Sequence, residues 1–136
     1  MAYLHRVLYG DTDQMQVVYY ASYLRFFEGA RNEWIRGHGL AYTEIEAAGV
    51  FLPVVEAFVR YHRPARYDDL LEIETDVSTT RVRLRFDYQV RRRGDDAVLT
   101  EGHTVHVSVD REGRLVRFPG WLTEKLAAHV RQGMPE

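Results

Sequence analysis

A chain of 136 residues with 46% hydrophobic and 28% charged residues has the length of one domain and the composition of a globular one. Its net charge of −2 gives no electrostatic ground for binding nucleic acid or an anionic membrane. The absence of cysteine excludes disulfides, thiolate metal sites and a Cys nucleophile.

The opening MAYLHRVLYGD has no basic region followed by an apolar run, so no signal peptide is expected. No apolar stretch approaches the ~18–20 residues of a spanning helix, and the expected location is the cytoplasm. A short strand before Tyr9 leads into a turn holding Asp11 and Asp13. A long helix is predicted from about Tyr20 to Arg36: Tyr23, Phe27, Ala30 and Trp34 form one apolar stripe, and Arg25, Glu28, Asn32 and Arg36 lie on another face. Gly37-His38-Gly39 closes it. A shorter helix, about Tyr42 to Ala48, ends at Gly49.

Phe51 to His62 reads as a strand that is apolar on both faces, with Leu52, Val54 and Phe58 against Val55, Ala57, Val59 and Tyr61. Pro53 suits its start or an edge position. Cover on both faces calls for a second copy of the chain, because one helix cannot supply it. Leu71, Ile73, Thr75 and Val77 then alternate with polar residues, as do Val82, Leu84, Phe86, Tyr88 and Val90. Both runs are strands with one covered face. Arg93-Gly94-Asp95-Asp96 turns into a strand from about Ala97 to Asp110, and Asp110–Gly113 turns into a short Leu115–Phe118 strand. A short helix follows Pro119. The order is that of one α+β domain with an antiparallel meander.

The chemistry concentrates in Tyr9–Arg31, YGDTDQMQVVYYASYLRFFEGAR. Carboxylates ahead of a helix start stand near backbone N–H groups without intrahelical partners and near the positive end of the helix dipole, a place for developing negative charge. Asp13 is seven residues before Tyr20, too far for a simple N-cap of a helix starting there. Asp11 reads as a turn or support residue. Glu28 and Arg31, at i and i+3, read either as a helix ion pair or as a helix carboxylate supporting a site. Arg81, Arg83, Arg85 and Arg91–Arg93 read as a solvated face, although Arg suits phosphate well. The histidines have no metal-ligand spacing, and His103 and His106 fall on opposite faces of one strand. No G-x-S-x-G or phosphate-cradling glycine loop is present.

The same residues carry a resemblance. Asp11-Thr12-Asp13, Val17-Val18-Tyr19-Tyr20, Tyr23, Phe27-Glu28 and Arg31 resemble the signature of the 4-hydroxybenzoyl-CoA thioesterase-like acyl-CoA thioesterases, in the YbgC-type branch. Pro64-Ala65-Arg66-Tyr67-Asp68-Asp69 and the late Phe118-Pro119 fit the same family. The resemblance implies a hotdog fold over residues 1–136, a long antiparallel sheet wrapped around one long helix. It implies an acyl-CoA thioesterase with Asp13 as nucleophile or general base and the Tyr20 backbone N–H as oxyanion donor. Glu28 would be a second carboxylate, reaching the site across a subunit interface. Arg81 and Arg83 would hold the nucleotide end of CoA, and Val59 and Tyr61 would contact substrate.

No metal or organic cofactor is implied. The expected partners are acyl-CoA or an acyl carrier protein and further copies of the chain, as a homodimer assembling to a homotetramer. Two positions depart from the family pattern: Tyr20 stands where many relatives have His, and Gln16 where Gly is common. A non-catalytic acyl-CoA or acyl-carrier-protein binding module is the alternative. A hydratase would want a His paired with an Asp near the helix, and no His lies between His5 and His38.

Overall fold

The computed structural model describes residues 2–133. In chain order the elements are β1 (Ala2–Arg6), a 3-10 turn (Tyr9–Asp11), α1 (Ser22–Gly37), α2 (Tyr42–Ala47), β2 (Val54–Tyr61), β3 (Leu70–Thr79), β4 (Arg83–Arg92), β5 (Val98–Val107), α3 (Gly120–Ala127) and β6 (Arg131–Gln132). The long strands form one antiparallel sheet in the order β1-β3-β4-β5-β2, and β6 runs parallel beside the end of β3. β1 is registered with Tyr3 opposite Ile73 and His5 opposite Leu71. A long antiparallel sheet with one long helix is the expected α+β hotdog arrangement.

The chain forms two compact units. The first comprises residues up to Trp34, Val59–Thr75 and Tyr88–Gly102. Here the helical stripe of α1 is buried as its spacing requires, with Tyr23, Phe27, Ala30 and Trp34 each at most 6% exposed. The Phe27 ring stacks on Tyr88 of β4 at 4.3 Å. Leu71 and Ile73 of β3 and Val90 of β4 complete the core. Gly29 sits inside α1 at a helix-propensity cost of roughly 1 kcal/mol. A Cβ there would stand 2.7 Å from the Tyr3 ring, so the close approach of β1 explains the glycine.

The second unit comprises Ile35–Phe58, Asp76–Asp87 and the chain from His103 onward. Phe86, Leu84, Val77, Ile45, Leu122 and Leu126 are buried in it. Buried His106 is satisfied by the Leu52 carbonyl at 2.9 Å and the Thr104 hydroxyl at 3.0 Å, with its ring edge-on to Phe86. Both early helices end in the same way. Gly39 and Gly49 adopt φ of +74° and +83°, and the following N–H groups of Leu40 and Val50 reach back to the carbonyls of Ile35 and Ile45. These are Schellman caps, for which glycine is suited.

Two expectations are corrected, and one element was not foreseen. α1 begins at Ser22 rather than Tyr20, because Tyr20 and Ala21 form the turn into it. Leu115–Phe118 is not a strand: its only ladder contact among the described residues is a single bridge from Leu115 to Val109. Asp110 ties the turn tightly, accepting the N–H groups of Glu112 and Arg114, but Leu115 remains 65% exposed and has no face to bury. β6 was not foreseen, since two polar residues show no periodicity.

The strand expected to be apolar on both faces is β2, which ends the strand order. Val54, Val55, Phe58 and Tyr61 all lie 42–54% exposed in the single chain.

Candidate active site

The site grows from the segment between β1 and α1. Asp11 is buried, and its acceptors are taken: Oδ2 receives the Leu8 N–H at 2.8 Å and lies 2.9 Å from His5 Nε2, while Oδ1 receives Arg25 Nη2 at 2.9 Å. Its carbonyl receives the Tyr19 N–H and the Ser22 hydroxyl. Burial by itself would raise the Asp11 pKa. The hydrogen bonds from Leu8 and His5, with the charges of His5 and Arg25, outweigh it and hold the carboxyl below its ordinary 3.8. Asp11 is thus a support that ties the strand, the turn and the helix start together.

His5 corrects a reading of the sequence. A His does pair with an Asp near the helix, reached from β1 rather than from the residues between His5 and His38. Its ring is packed against Phe26 at 4.2 Å, and it lines neither of the hollows around Asp13.

Asp13 begins a three-residue hairpin. Its N–H bonds the Val17 carbonyl, its carbonyl receives the Gln16 N–H, and Thr12 pairs with Val18. The Asp13 Oδ1 accepts the Met15 N–H at 2.8 Å, which fixes the side chain over its own turn. The closing residue, Gln16, has φ of +66°. Three-residue hairpins commonly place a left-handed residue there, usually glycine. The missing family glycine therefore marks a true left-handed position, and Gln16 occupies it under strain.

Asp13 is half-buried, and its Oδ2 has no hydrogen-bond partner among the described residues. It lines a hollow of about 330 Å³ together with Tyr20, Tyr23, Tyr61, Val17, Val18 and the His62–Pro64 turn. It also lines a second hollow of about 490 Å³ with Tyr9, Gln16, Arg66 and Tyr67. The Tyr20 N–H finds no acceptor among the described residues, whereas its carbonyl receives the Tyr61 hydroxyl at 2.9 Å. A partly free carboxylate and Tyr20, whose backbone N–H is unpartnered among the described residues, thus line one concavity just ahead of α1. Burial raises the pKa of Tyr23, and burial, with Tyr23 and Tyr20 nearby, raises that of Tyr61. Both phenols remain protonated at neutral pH.

The structure brings Asp13, Tyr20 and Tyr61 together. It does not add Glu28, which is exposed on α1, or Val59, which is half-buried on β2; neither lines the two hollows. Arg81 lines a separate hollow of about 350 Å³ with Arg117, Thr79, Thr80, Phe118 and Thr123. Arg83 lies outside that lining, its backbone engaged by Thr80. The side chains of Arg81, Arg83 and Arg117 have no partner among the described residues. Arg85, by contrast, is tied to Asp87 and His103, Arg92 to Asp69 and Arg93 to Glu72. The arginine run is therefore only partly a bare solvated face. Sequence reading missed Arg117 and Arg66. Arg66 stood inside a quoted motif and could have been singled out, whereas a lone arginine before Phe118-Pro119 carried no signal.

The hotdog sheet with its long helix places the chain in a class, and the chain belongs to it: residues 7–126 match the thioesterase-like superfamily. Among individual proteins it is 38% identical over 127 residues to the acyl-CoA thioester hydrolase YbgC of Escherichia coli, covering 93% of this chain and 92% of that one. It is 30% identical over 111 residues to a 1,4-dihydroxy-2-naphthoyl-CoA hydrolase of Synechococcus elongatus, covering 79% and 80%. The crystal structure of a hypothetical protein, TT1821, from Thermus thermophilus superposes with a TM-score of 0.87 at 34% identity, covering 94% of this chain and 98% of that one.

Proposed function

We propose that this chain is an acyl-CoA thioesterase that hydrolyses its substrate to a carboxylic acid and free CoA, with Asp13 as the working carboxylate. The observation that carries the reading is the shared hollow of Asp13 and the unpartnered Tyr20 N–H. In one route an Asp13 oxygen attacks the thioester carbonyl and the thiolate leaves; water then cleaves the resulting anhydride. In the other, Asp13 takes a proton from a water that attacks directly. In both, the Tyr20 N–H donates a hydrogen bond to the carbonyl oxygen as it gains charge, a contribution of about 3–4 kcal/mol for one positioned donor. Membership of the superfamily and the likeness to YbgC support the reaction class.

The finer assignments extend this reading. Arg81 and Arg83 receive the phosphates of CoA, with Arg117 beside Arg81 in the same hollow. Val59 and the ring of Tyr61 border the acyl group or the pantetheine arm. The chain acts as one domain and assembles through β2 into a homodimer and then a homotetramer. The exposed apolar residues of β2 support this, because an open edge of that kind pairs readily. Glu28 then serves the site of a second copy. Acyl carrier protein is a second carrier the enzyme could accept, and the cytoplasm is the proposed location; no helix of the described residues is long and apolar enough to cross a membrane.

The test is release of free thiol from a panel of acyl-CoAs by the wild-type protein and Asp13→Asn. Hydrolysis by the former and its loss in the latter are expected. Binding of acyl-CoA without any thiol release would instead favour the non-catalytic binding module. Sedimentation at micromolar concentration tests assembly: a folded, active monomer would contradict it and remove the role of Glu28.

A further inference from the structure

We infer that Tyr61 is a positioning residue: its hydroxyl, donated to the Tyr20 carbonyl, holds Tyr20 in the orientation that keeps its N–H turned to the hollow. The inference rests on the oxyanion role proposed for that N–H. It differs from the substrate contact proposed for the Tyr61 ring, because the hydroxyl acts through the backbone of another residue.

Tyr20 lies in a two-residue turn outside the regular hydrogen bonding of α1, so its orientation has to be fixed by other means. The peptide before it is anchored by the Tyr19 carbonyl, which receives the Ser22 N–H at 2.9 Å. The Tyr19 N–H is anchored in turn on the Asp11 carbonyl at 2.8 Å. The peptide after Tyr20 has one anchor on its carbonyl, the Tyr61 hydroxyl at 2.9 Å. The N–H between those anchors has no acceptor among the described residues. The two dihedrals of Tyr20 are therefore set by a bond on each side, and Tyr61 supplies the second.

Tyr61 is itself well placed for this. It ends β2, and its ring meets Tyr23 edge to face at 5.6 Å. Tyr23 is only 2% exposed and belongs to the buried stripe of α1. The phenol is thus braced against the helix whose start it orients. Its pKa is raised above the ordinary 10 by partial burial and by Tyr23 and Tyr20 nearby, so at neutral pH it is a donor. Small misplacements of a donor are costly, since a shift of about 1 Å can cost a hundredfold in rate.

Tyr61→Phe keeps the ring and the Tyr23 contact and removes only the bond to Tyr20. We expect kcat to fall about tenfold, an intermediate loss for a donor misaligned but not deleted, with KM for acyl-CoA and the affinity for a carbonyl-free S-alkyl-CoA unchanged within twofold. Thermal unfolding at the wild-type temperature verifies the fold. Asp13→Asn in the same assay separates the two levels of the argument. If Asp13→Asn abolishes turnover while Tyr61→Phe leaves kcat intact, the positioning role is wrong and the hydrolase reading stands. If Tyr61→Phe instead raises KM and weakens S-alkyl-CoA binding with kcat unchanged, the Tyr61 hydroxyl contacts substrate and the inference is overturned. If Asp13→Asn retains full turnover, the reading beneath the inference fails first.

Discussion

Asp11 and Asp13 stand two residues apart in one turn and live in opposite surroundings. Asp11 is buried, receives hydrogen bonds from Leu8, His5 and Arg25, and ties β1 to α1. Asp13 is half-buried, holds one N–H of its own hairpin and leaves an oxygen open in a hollow shared with Tyr20. The contrast shows what separates a structural carboxylate from the one proposed as reactive when residue type and helix proximity are the same. A carboxylate whose acceptors are saturated cannot take a proton or attack a carbonyl without dismantling the turn. One with a free oxygen facing a hollow can do either without breaking the turn.

The sharpest way to break this comparison is to neutralise each carboxylate in turn. Asp13→Asn should lower thiol release a hundredfold or more while leaving the fold intact, an effect of about 2.7 kcal/mol or more on the barrier. Asp11→Asn should do the reverse, costing about 2 kcal/mol of stability in denaturant unfolding, because a buried charge-assisted network loses its acceptor. The pH dependence follows from the same network. Asp11 and Asp69 both have folded-state pKa values lowered from 3.8, against burial that would raise them, by hydrogen bonds from Leu8 and His5 in one case and Arg92 and Arg66 in the other. Such groups contribute stability at pH values above the unfolded pKa and lose it as pH falls through the folded one. Unfolding free energy should therefore drop below about pH 4, and less steeply in Asp11→Asn.

Smaller effects sharpen the picture away from the two carboxylates. Replacing Arg81 and Arg117 together with Ala should raise KM for acyl-CoA roughly fivefold with kcat unchanged, the signature of binding remote from the broken bond. The difference should shrink in high salt, and a short thioester without the nucleotide should show none. Gln16→Gly should be the mildest, raising stability by about 0.5–1 kcal/mol, since glycine accepts the +66° φ that glutamine holds under strain.

The fold was legible where apolar spacing and glycine chemistry agreed. The α1 stripe from Tyr23 to Trp34, the alternation of β3 and β4, and the caps at Gly39 and Gly49 all followed from patterns with a physical cause. Leu115–Phe118 misled because a short apolar run after a good turn reads as a strand whether or not a partner waits for it. At the site, Asp13, Tyr20 and Tyr61, all named from the sequence, line one hollow. The His5–Asp11 pair could not be read, because it forms between a strand and a turn whose approach only the register of β1 on β3 decides. Gln16 could be read only as a departure; its left-handed φ gives that departure a physical meaning. Arg117 reaches the Arg81 hollow from a segment with no periodicity at all.

The central claim is that Asp13 and not Asp11 carries the chemistry. It is tested most directly by free-thiol release from acyl-CoA, measured per folded molecule for Asp11→Asn and Asp13→Asn side by side. Near wild-type turnover is expected in the folded fraction of Asp11→Asn, against a loss of at least a hundredfold in fully folded Asp13→Asn. Comparable loss in both, or turnover surviving in Asp13→Asn, would contradict it.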